Sequence, residues 1–280
     1  MKTEEFKEIL YEKDELGIVT LTLNIAKRKN AMSRYTFYEL FWAIDALEKD
    51  DTAYVMIITG AKDPEIPDPA KEAFSSGGYF HPSAMAGVSD EIKAQIDNTD
   101  IAQAKLTLKM FKCEKPIIFA LNGLAIGAGF TMMLAGSDLV YASEHAWATI
   151  PFINLGIIPE LASTYLLPRL VGLHRAKEIM YFAERMTAQT LHEMGLVNKV
   201  LPHDQLMPYV REIAAKLAPP QGAPIALRLT KKALHEPLVK AIETALAKEN
   251  EGLNKAYKTA DMVEAMTAMR EKRKPSFTGK

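Results

Sequence analysis

The chain is nearly devoid of cysteine, with Cys113 the only one in 280 residues. A lone thiol excludes an intramolecular disulfide and a multi-cysteine metal site. Its place just before the apolar run Ile117–Leu121 suits a packed residue better than a nucleophile. No run of about 18 apolar residues occurs, and Met1 to Leu10 is charged without an apolar signal region. Neither membrane insertion nor secretion is expected, and the expected location is cytoplasmic. Neither sign of charge prevails: 34 Lys and Arg face 35 Asp and Glu, so no overall field favours nucleic acid. No ligand cluster for a metal is visible. What is present is ordinary for a globular protein, 48% hydrophobic and 25% charged, in a chain long enough for a large core.

Periodicity divides the chain in two. Gly17–Asn24 alternates, with Val19, Leu21 and Leu23 on one side, and predicts a strand. Ser33 then caps a helix with the stripe Phe37, Leu40, Phe41, Ile44 and Leu47. Tyr54–Ile58 is apolar on both faces and predicts a buried strand, so the three elements read as an α/β crossover unit. The three prolines between Ala61 and Ala73 predict a loop. A helix over Ile92–Phe111, strands at Ile117–Leu121 and Leu139–Tyr141, and a helix over Leu161–Leu170 follow. Beyond Pro202 the pattern is helical throughout. The expected organisation is therefore a layered α/β core, 1–202, and a helical oligomerisation region, 203–280.

Two small-residue turns stand out, Phe74 to Tyr79 and Asn122 to Phe130. Glycine lets a ligand approach the backbone closely. The second turn runs into Thr131–Ala135, which reads as the start of a helix, where free N–H groups favour an anion or a developing oxyanion. Gly127-Ala128-Gly129 lacks the third glycine of a dinucleotide fingerprint, and no Gly-Lys-Ser/Thr follows to make a phosphate loop.

In their order these stretches resemble the crotonase (enoyl-CoA hydratase/isomerase) superfamily. The matching residues are Leu23-Asn24, Lys29-Asn30-Ala31, Ala73 to Gly78, Pro116 to Gly129 and Asp138 to Ala142. Asn154-Leu155-Gly156, Gly195-Leu196-Val197 and the terminal Glu271 to Phe277 complete the set. The resemblance implies an α/β fold, a spiral of ββα units with a C-terminal helical trimerisation region. It also implies a homotrimer or dimer of trimers, and an acyl-CoA thioester as substrate in fatty acid metabolism. No cofactor is implied, since CoA is part of the substrate, and no nucleic acid or membrane partner.

Carried over by position, the resemblance implies an oxyanion hole made by the N–H groups of Gly78 and Ala128. The chain has one residue more than usual between Asn122-Gly123 and Asp138, which leaves Gly127 and Gly129 as alternatives to Ala128. Arg28 or Lys29 is implied at the nucleotide phosphates and the backbone of Ser76 at the adenine. Phe277 and Lys280 are implied near the nucleotide, within the subunit or across a boundary. Tyr79, Phe80 and His81, beside the first donor, are candidates to line the acyl pocket.

Hydration of a conjugated double bond needs an acid and a base. Typical hydratases of the family use two glutamates, at positions where this chain has Thr131 (Met132 in the other register) and Phe152. No Glu or Asp occurs from Asn122 through Ser137. Glu160, by contrast, falls where peroxisomal-type Δ3,Δ2-enoyl-CoA isomerases place their single glutamate. One base suffices there, because the same carboxylate takes a proton from C2 and returns it to C4. The continuation Leu161-Ala162 departs from the glycine-rich pattern of those isomerases. The expected function is an enoyl-CoA isomerase with Glu160, Gly78 and Ala128 as the catalytic set. The alternatives are a hydratase, or a hydrolase or decarboxylase of the same family using His81 or Glu160 with a water. A non-catalytic protein that binds acyl-CoA, RNA or a partner is the alternative of another class.

Overall fold

Alternation along the strands decides which side each layer packs. The computed structural model describes residues 2–79, 81, 85 and 87–280. In it β1 (Ile9–Lys13) pairs antiparallel with β2 (Ile18–Leu23). Helix α1 (Arg34–Lys49) crosses over to β3 (Val55–Gly60), parallel to β2, as the sequence pattern requires. Ser33 begins α1 with a capping box: its side chain accepts the Thr36 N–H and the Thr36 hydroxyl accepts its own N–H.

From β3 the chain climbs in similar turns, each giving one strand to a large sheet, one to a small sheet, then helix. The first turn is β3, β4 (Ala73–Ser75), α2 (Asp90–Lys93) and α3 (Ala104–Lys112). The second is β5 (Ile117–Leu121), β6 (Leu124–Ile126) and α4 (Ala128–Gly136). The third is β7 (Leu139–Ser143), β8 (Trp147–Thr149), α5 (Ser163–Val171) and α6 (Leu173–Phe182). After β9 (Met186–Thr187), α7 (Ala188–Glu193) and β10 (Lys199–Leu201), the large sheet runs β1-β2-β3-β5-β7-β10 and the small one β4-β6-β8-β9. This is the ββα spiral that the resemblance implied.

Helices α8 (Leu206–Leu217), α9 (Pro224–His235), α10 (Val239–Ala256) and α11 (Ala260–Arg270) complete the chain. Val19, Leu21, Met56 and Ile58 face the main core, while Ile18, Val55, Ile57 and Ile118 face the other way, onto Leu206, Val210 and Ala214 of α8. The first C-terminal helix thus covers the outer face of its own sheet.

Three expected boundaries are corrected. The helix expected over Ile92–Phe111 is broken between α2 and α3, because Gln103 takes a left-handed φ of 54° and Asp100 accepts the first N–H groups of α3, at Ala104 and Lys105. The helix expected from Thr131 starts at Ala128. The helix expected from Leu161 starts at Ser163, since Leu161 and Ala162 have φ of 56° and 57°. Left-handed backbone is glycine's territory, and two consecutive residues with side chains there need outside support.

Candidate active site

The two small-residue turns interlock. A Cβ on Gly77 would stand 2.7 Å from the Ile126 carbonyl oxygen and 3.5 Å from the Ala128 nitrogen. A Cβ on Gly129 would stand 2.8 Å from the Ser75 Cβ. Contacts under 3 Å from such an atom are prohibitive, so close approach of the turns requires glycine at both places.

Around Gly78 the backbone is held on either side. The Met32 N–H donates to the Gly77 carbonyl at 2.7 Å and the Tyr79 N–H to the Met32 carbonyl at 2.8 Å. The Ser75 hydroxyl accepts the Gly77 N–H at 3.1 Å and donates to the Asn30 carbonyl at 2.7 Å. The N–H of Gly78 itself has no acceptor among the described residues.

In the second turn Gly127, with φ 52°, donates its N–H to the Thr149 carbonyl at 3.0 Å, and its own carbonyl accepts from Phe130 and Thr131. Gly127 is thereby removed as a candidate donor. Ala128 and Gly129 are the first residues of α4, whose N–H groups lack intrahelical acceptors. Of these, Ala128 lies against the Gly77-Gly78 turn, and Gly129 packs on Ser75. The Ala128 N–H thus lies against the turn that carries Gly78, on glycine-fitted backbone, an arrangement suited to a developing oxyanion.

The hydratase positions hold no acid. Thr131 is fully buried in α4, and its hydroxyl donates to the Gly127 carbonyl at 3.2 Å. Phe152 is buried, its ring edge 3.8 Å from where a Gly127 Cβ would lie, so an aromatic ring backs the turn.

Glu160 follows the short 3-10 turn Ile153–Leu155 and precedes the left-handed pair Leu161-Ala162. That pair is anchored from outside: Leu161 donates to the Ala102 carbonyl at 3.2 Å and Ala162 to the Glu249 carboxylate at 2.7 Å. Glu249 also accepts the Thr164 N–H and hydroxyl, at 2.9 and 2.6 Å. The departure from a glycine-rich continuation has its reason here, since hydrogen bonds replace glycine's freedom. The Glu160 carboxyl accepts no hydrogen bond and joins no ion pair among the described residues. Burial, with Glu249 and Asp100 adding to it and Arg34 opposing, pushes its pKa up to about 8. The residue as a whole is half-buried.

Two residues of the C-terminal helices pack near this segment. Gly252 of α10 has room for no side chain, because Ile158 fills the place of its Cβ at 2.3 Å. Tyr257, at the end of α10, is pushed up to about 12 by burial and then by the charge of Glu160. Arg34, Asp100, Glu249 and Tyr257 escaped the sequence reading because each is distant in the chain. Only Glu249 carried a signal: an acid on the apolar stripe Ile242, Leu246 and Leu253.

The remaining expected residues are dispersed. The Arg28 guanidinium donates to Glu8 at 2.5 Å and to the Ala31 carbonyl at 2.9 Å, and lies 4.4 Å over the Tyr79 ring. It is committed to the fold, whereas Lys29 is exposed. The Ser76 N–H is taken by the Lys29 carbonyl at 2.9 Å, which leaves the Ser76 carbonyl as the group available to an adenine. Tyr79 also stacks on His81, centroids 5.7 Å apart. Phe80 lies outside the described residues. Phe277 is exposed, and the tail beyond it folds back onto α11, where Asp261 accepts the Thr278 and Gly279 N–H groups and the Lys280 carbonyl accepts from Ala260 at 2.8 Å. Among the described residues no group of His, Cys, Asp and Glu could hold a metal ion. Burial pushes the Cys113 thiol up to about 11, as a packed, inert cysteine requires.

Comparison with known proteins agrees with this geometry. The sequence model of the enoyl-CoA hydratase/isomerase family matches residues 13–280. A short-chain-enoyl-CoA hydratase of Clostridium acetobutylicum is 32% identical, over 96% of this chain and 97% of its own. A 1,2-epoxyphenylacetyl-CoA isomerase of Escherichia coli is 30% identical, over 98% and 99%. The crystal structure of an enoyl-CoA hydratase/isomerase from Pseudoalteromonas atlantica superposes with a TM-score of 0.82 at 26% identity, over 97% of this chain and all of that one. With a full-length family match, the ββα spiral and the paired backbone turns in agreement, the chain belongs to the enoyl-CoA hydratase/isomerase family, the crotonase superfamily.

Proposed function

We propose that this enzyme is an enoyl-CoA isomerase that moves a double bond by a single-base proton shift. The observation that carries the reading is the Glu160 carboxyl, without hydrogen bond or ion pair among the described residues and with its pKa raised to about 8, while Thr131 and Phe152 occupy the hydratase positions. A 3-enoyl thioester would place its carbonyl oxygen between the N–H groups of Gly78 and Ala128. Ionised Glu160 takes the C2 proton, the two donors stabilise the enolate that forms, and the same carboxyl returns the proton to C4. No water has to be activated, so no second acid is needed. The raised pKa serves both halves of the cycle, because a group near 8 takes and gives a proton with similar ease at neutral pH.

The names of several relatives favour hydration as the second reading, in which Glu160 alone would orient a water. Product analysis separates the two. On 3-enoyl-CoA the isomerase yields the 2-enoyl thioester, and on 2-enoyl-CoA it yields no 3-hydroxyacyl product. Glu160→Gln should lower the isomerisation rate by about 10²–10⁴. Full activity in that variant, or hydration by the wild type, would refute the proposal. The exposed Leu170, Leu173, Tyr181 and Phe182 around α6 support self-association as a trimer or dimer of trimers, to be checked by the mass in solution.

A further inference from the structure

Residues 29–32 lie along the turn 75–79 and grip it at successive points. The Ser76 N–H donates to the Lys29 carbonyl at 2.9 Å, and the Ser75 hydroxyl donates to the Asn30 carbonyl at 2.7 Å. Further on, the Met32 N–H donates to the Gly77 carbonyl at 2.7 Å, and the Met32 carbonyl accepts the Tyr79 N–H at 2.8 Å. Met32 and Gly78 thus stand opposite each other as an isolated parallel bridge. The Gly77 carbonyl and the Gly78 N–H belong to one planar trans peptide. Holding that carbonyl on Met32 therefore points the Gly78 N–H the opposite way, off the strip.

The strip has a shape that its residues do not favour by themselves. Lys29 and Asn30 are both left-handed, with φ of 53° and 52°. Asparagine tolerates that region better than most residues, but two such residues in succession need outside support. The fully buried Asn30 side chain supplies it. Its oxygen accepts the Ile25 N–H at 3.0 Å, and its NH2 donates to the Ala61 carbonyl at 3.0 Å and the Ala73 carbonyl at 2.8 Å. One amide thereby ties the start of the strip to the end of β3 and the start of β4. Gly60 is glycine for the same reason, since a Cβ there would stand 2.4 Å from the Ala73 carbonyl oxygen and 2.8 Å from the Asn30 amide nitrogen. Ser75, also buried, carries the constraint onward, because the hydroxyl that donates to Asn30 accepts the Gly77 N–H at 3.1 Å.

We infer that Asn30 is a positioning residue for the oxyanion site: its buried amide fixes the left-handed strip, and the strip, through Ser75 and Met32, aims the Gly78 N–H. This rests on the reading of Gly78 as an oxyanion donor, and not on which reaction Glu160 serves. The amide suits the place because each of its polar atoms meets its complement. Aspartate keeps the shape but sets an oxygen against two carbonyl oxygens. Glycine keeps the backbone angle but leaves the Ile25 N–H and both carbonyls without that partner. A reacting group displaced by about 1 Å loses on the order of 10²-fold in rate, so the stiffness of this strip bears on the transition state more than on ground-state binding.

The test uses acetoacetyl-CoA, whose C2 releases a proton to solvent and leaves an enolate that absorbs in the near ultraviolet. Donors aimed at the enolate oxygen lower the pH at which half of the bound probe is ionised, so the absorbance reads the donors without turnover. In the wild type that midpoint should lie about one pH unit or more below the midpoint of the free thioester. Asn30→Gly and Asn30→Asp should each raise it by about one unit, a tenfold loss of enolate, and leave the Kd of butyryl-CoA, which forms no enolate, within about threefold of the wild type's. Ser75→Ala keeps the Cβ that packs on Gly129 and cuts the hydroxyl link, so it should raise the midpoint by a smaller amount. It also serves where an Asn30 variant does not fold. An Asn30 that supports only the fold would lower the melting temperature and leave the midpoint of the folded variants in place. That result, or an unchanged midpoint in Ser75→Ala where neither Asn30 variant folds, would overturn the inference while the oxyanion site stood. A wild type that binds the probe without lowering its midpoint, or does not bind it, would overturn the oxyanion site, and the inference with it.

Discussion

Glu249 stands close enough to Glu160 to raise its proton affinity, yet the two carboxyls have opposite surroundings. The Glu249 carboxylate accepts three hydrogen bonds from Ala162 and Thr164, and the Glu160 carboxyl accepts none among the described residues. Burial pushes both pKa values up, but only Glu249 has donors to hold its charge. Glu249 fixes the backbone, and the proposed mechanism leaves Glu160 to exchange a proton.

Activity should therefore depend on pH with a definite sign. The base form of Glu160 accumulates as pH rises toward 8, so kcat/KM for a 3-enoyl-CoA should climb through that range and level off above it. Stability moves the other way. Between the unfolded value of 4.5 and the folded value of about 8, the folded chain holds a proton that the unfolded chain has released. The slope is negative, and stability falls across that window by on the order of a few kcal/mol. Glu160→Gln should abolish the loss and melt above the wild type at pH 8. Parallel melting curves of the two proteins from pH 5 to 8 would contradict the assigned shift.

Glu249→Gln separates the anchoring role from the electrostatic one. Its amide NH2 would face an N–H donor, so the variant should lose about 1–3 kcal/mol of stability. It also removes a negative charge near Glu160, which makes Glu160 easier to ionise. The midpoint of the kcat/KM profile should then move to lower pH. An anchor alone would lower the melting temperature and leave that midpoint in place.

Elements with a long period were legible in the chain. Ile18–Leu23, α1, Val55–Gly60 and Ile117–Leu121 declare themselves because half or more of each faces a core. Leu124–Ile126 reads as part of a turn, since three residues show no alternation and its strand character comes from pairing with β4 and β8. The break before α3 was hidden because Asp100 and Gln103 act through local hydrogen bonding and backbone angle, which leave the apolar spacing of 92–111 intact. At the site, Gly78 and Glu160 were found through family order. Their partners depend on contacts between segments far apart in sequence, and Arg28, implied by the resemblance as one of two candidates for the nucleotide phosphates, is spent on Glu8.

Ala128 permits a direct test of the oxyanion hole. It is the first residue of α4, where an N–H has no helical acceptor and proline's φ suits the backbone. Ala128→Pro deletes the donor with little cost to the helix. The expected result is a fall in kcat of about 10²–10³ with a melting temperature close to the wild type's. An unchanged kcat would show that the Ala128 N–H is not a donor and would direct attention to Gly129.

Arg28 and Lys29 are adjacent, yet they should fail in different ways. Arg28 neutralises a part-buried Glu8 that also accepts hydrogen bonds from Ser33 and Thr36. Arg28→Ala leaves that carboxylate without a cation, and should cost about 1–3 kcal/mol of stability. Lys29 is exposed on a left-handed residue at the rim, free to meet a phosphate. Lys29→Glu should raise KM for the CoA thioester and leave kcat and the melting temperature unchanged. That effect should shrink as salt is added, because an exposed charge is screened within about 10 Å at 0.1 M. The reverse pattern, with KM responding to Arg28 and stability to Lys29, would mean that the guanidinium leaves Glu8 when CoA binds.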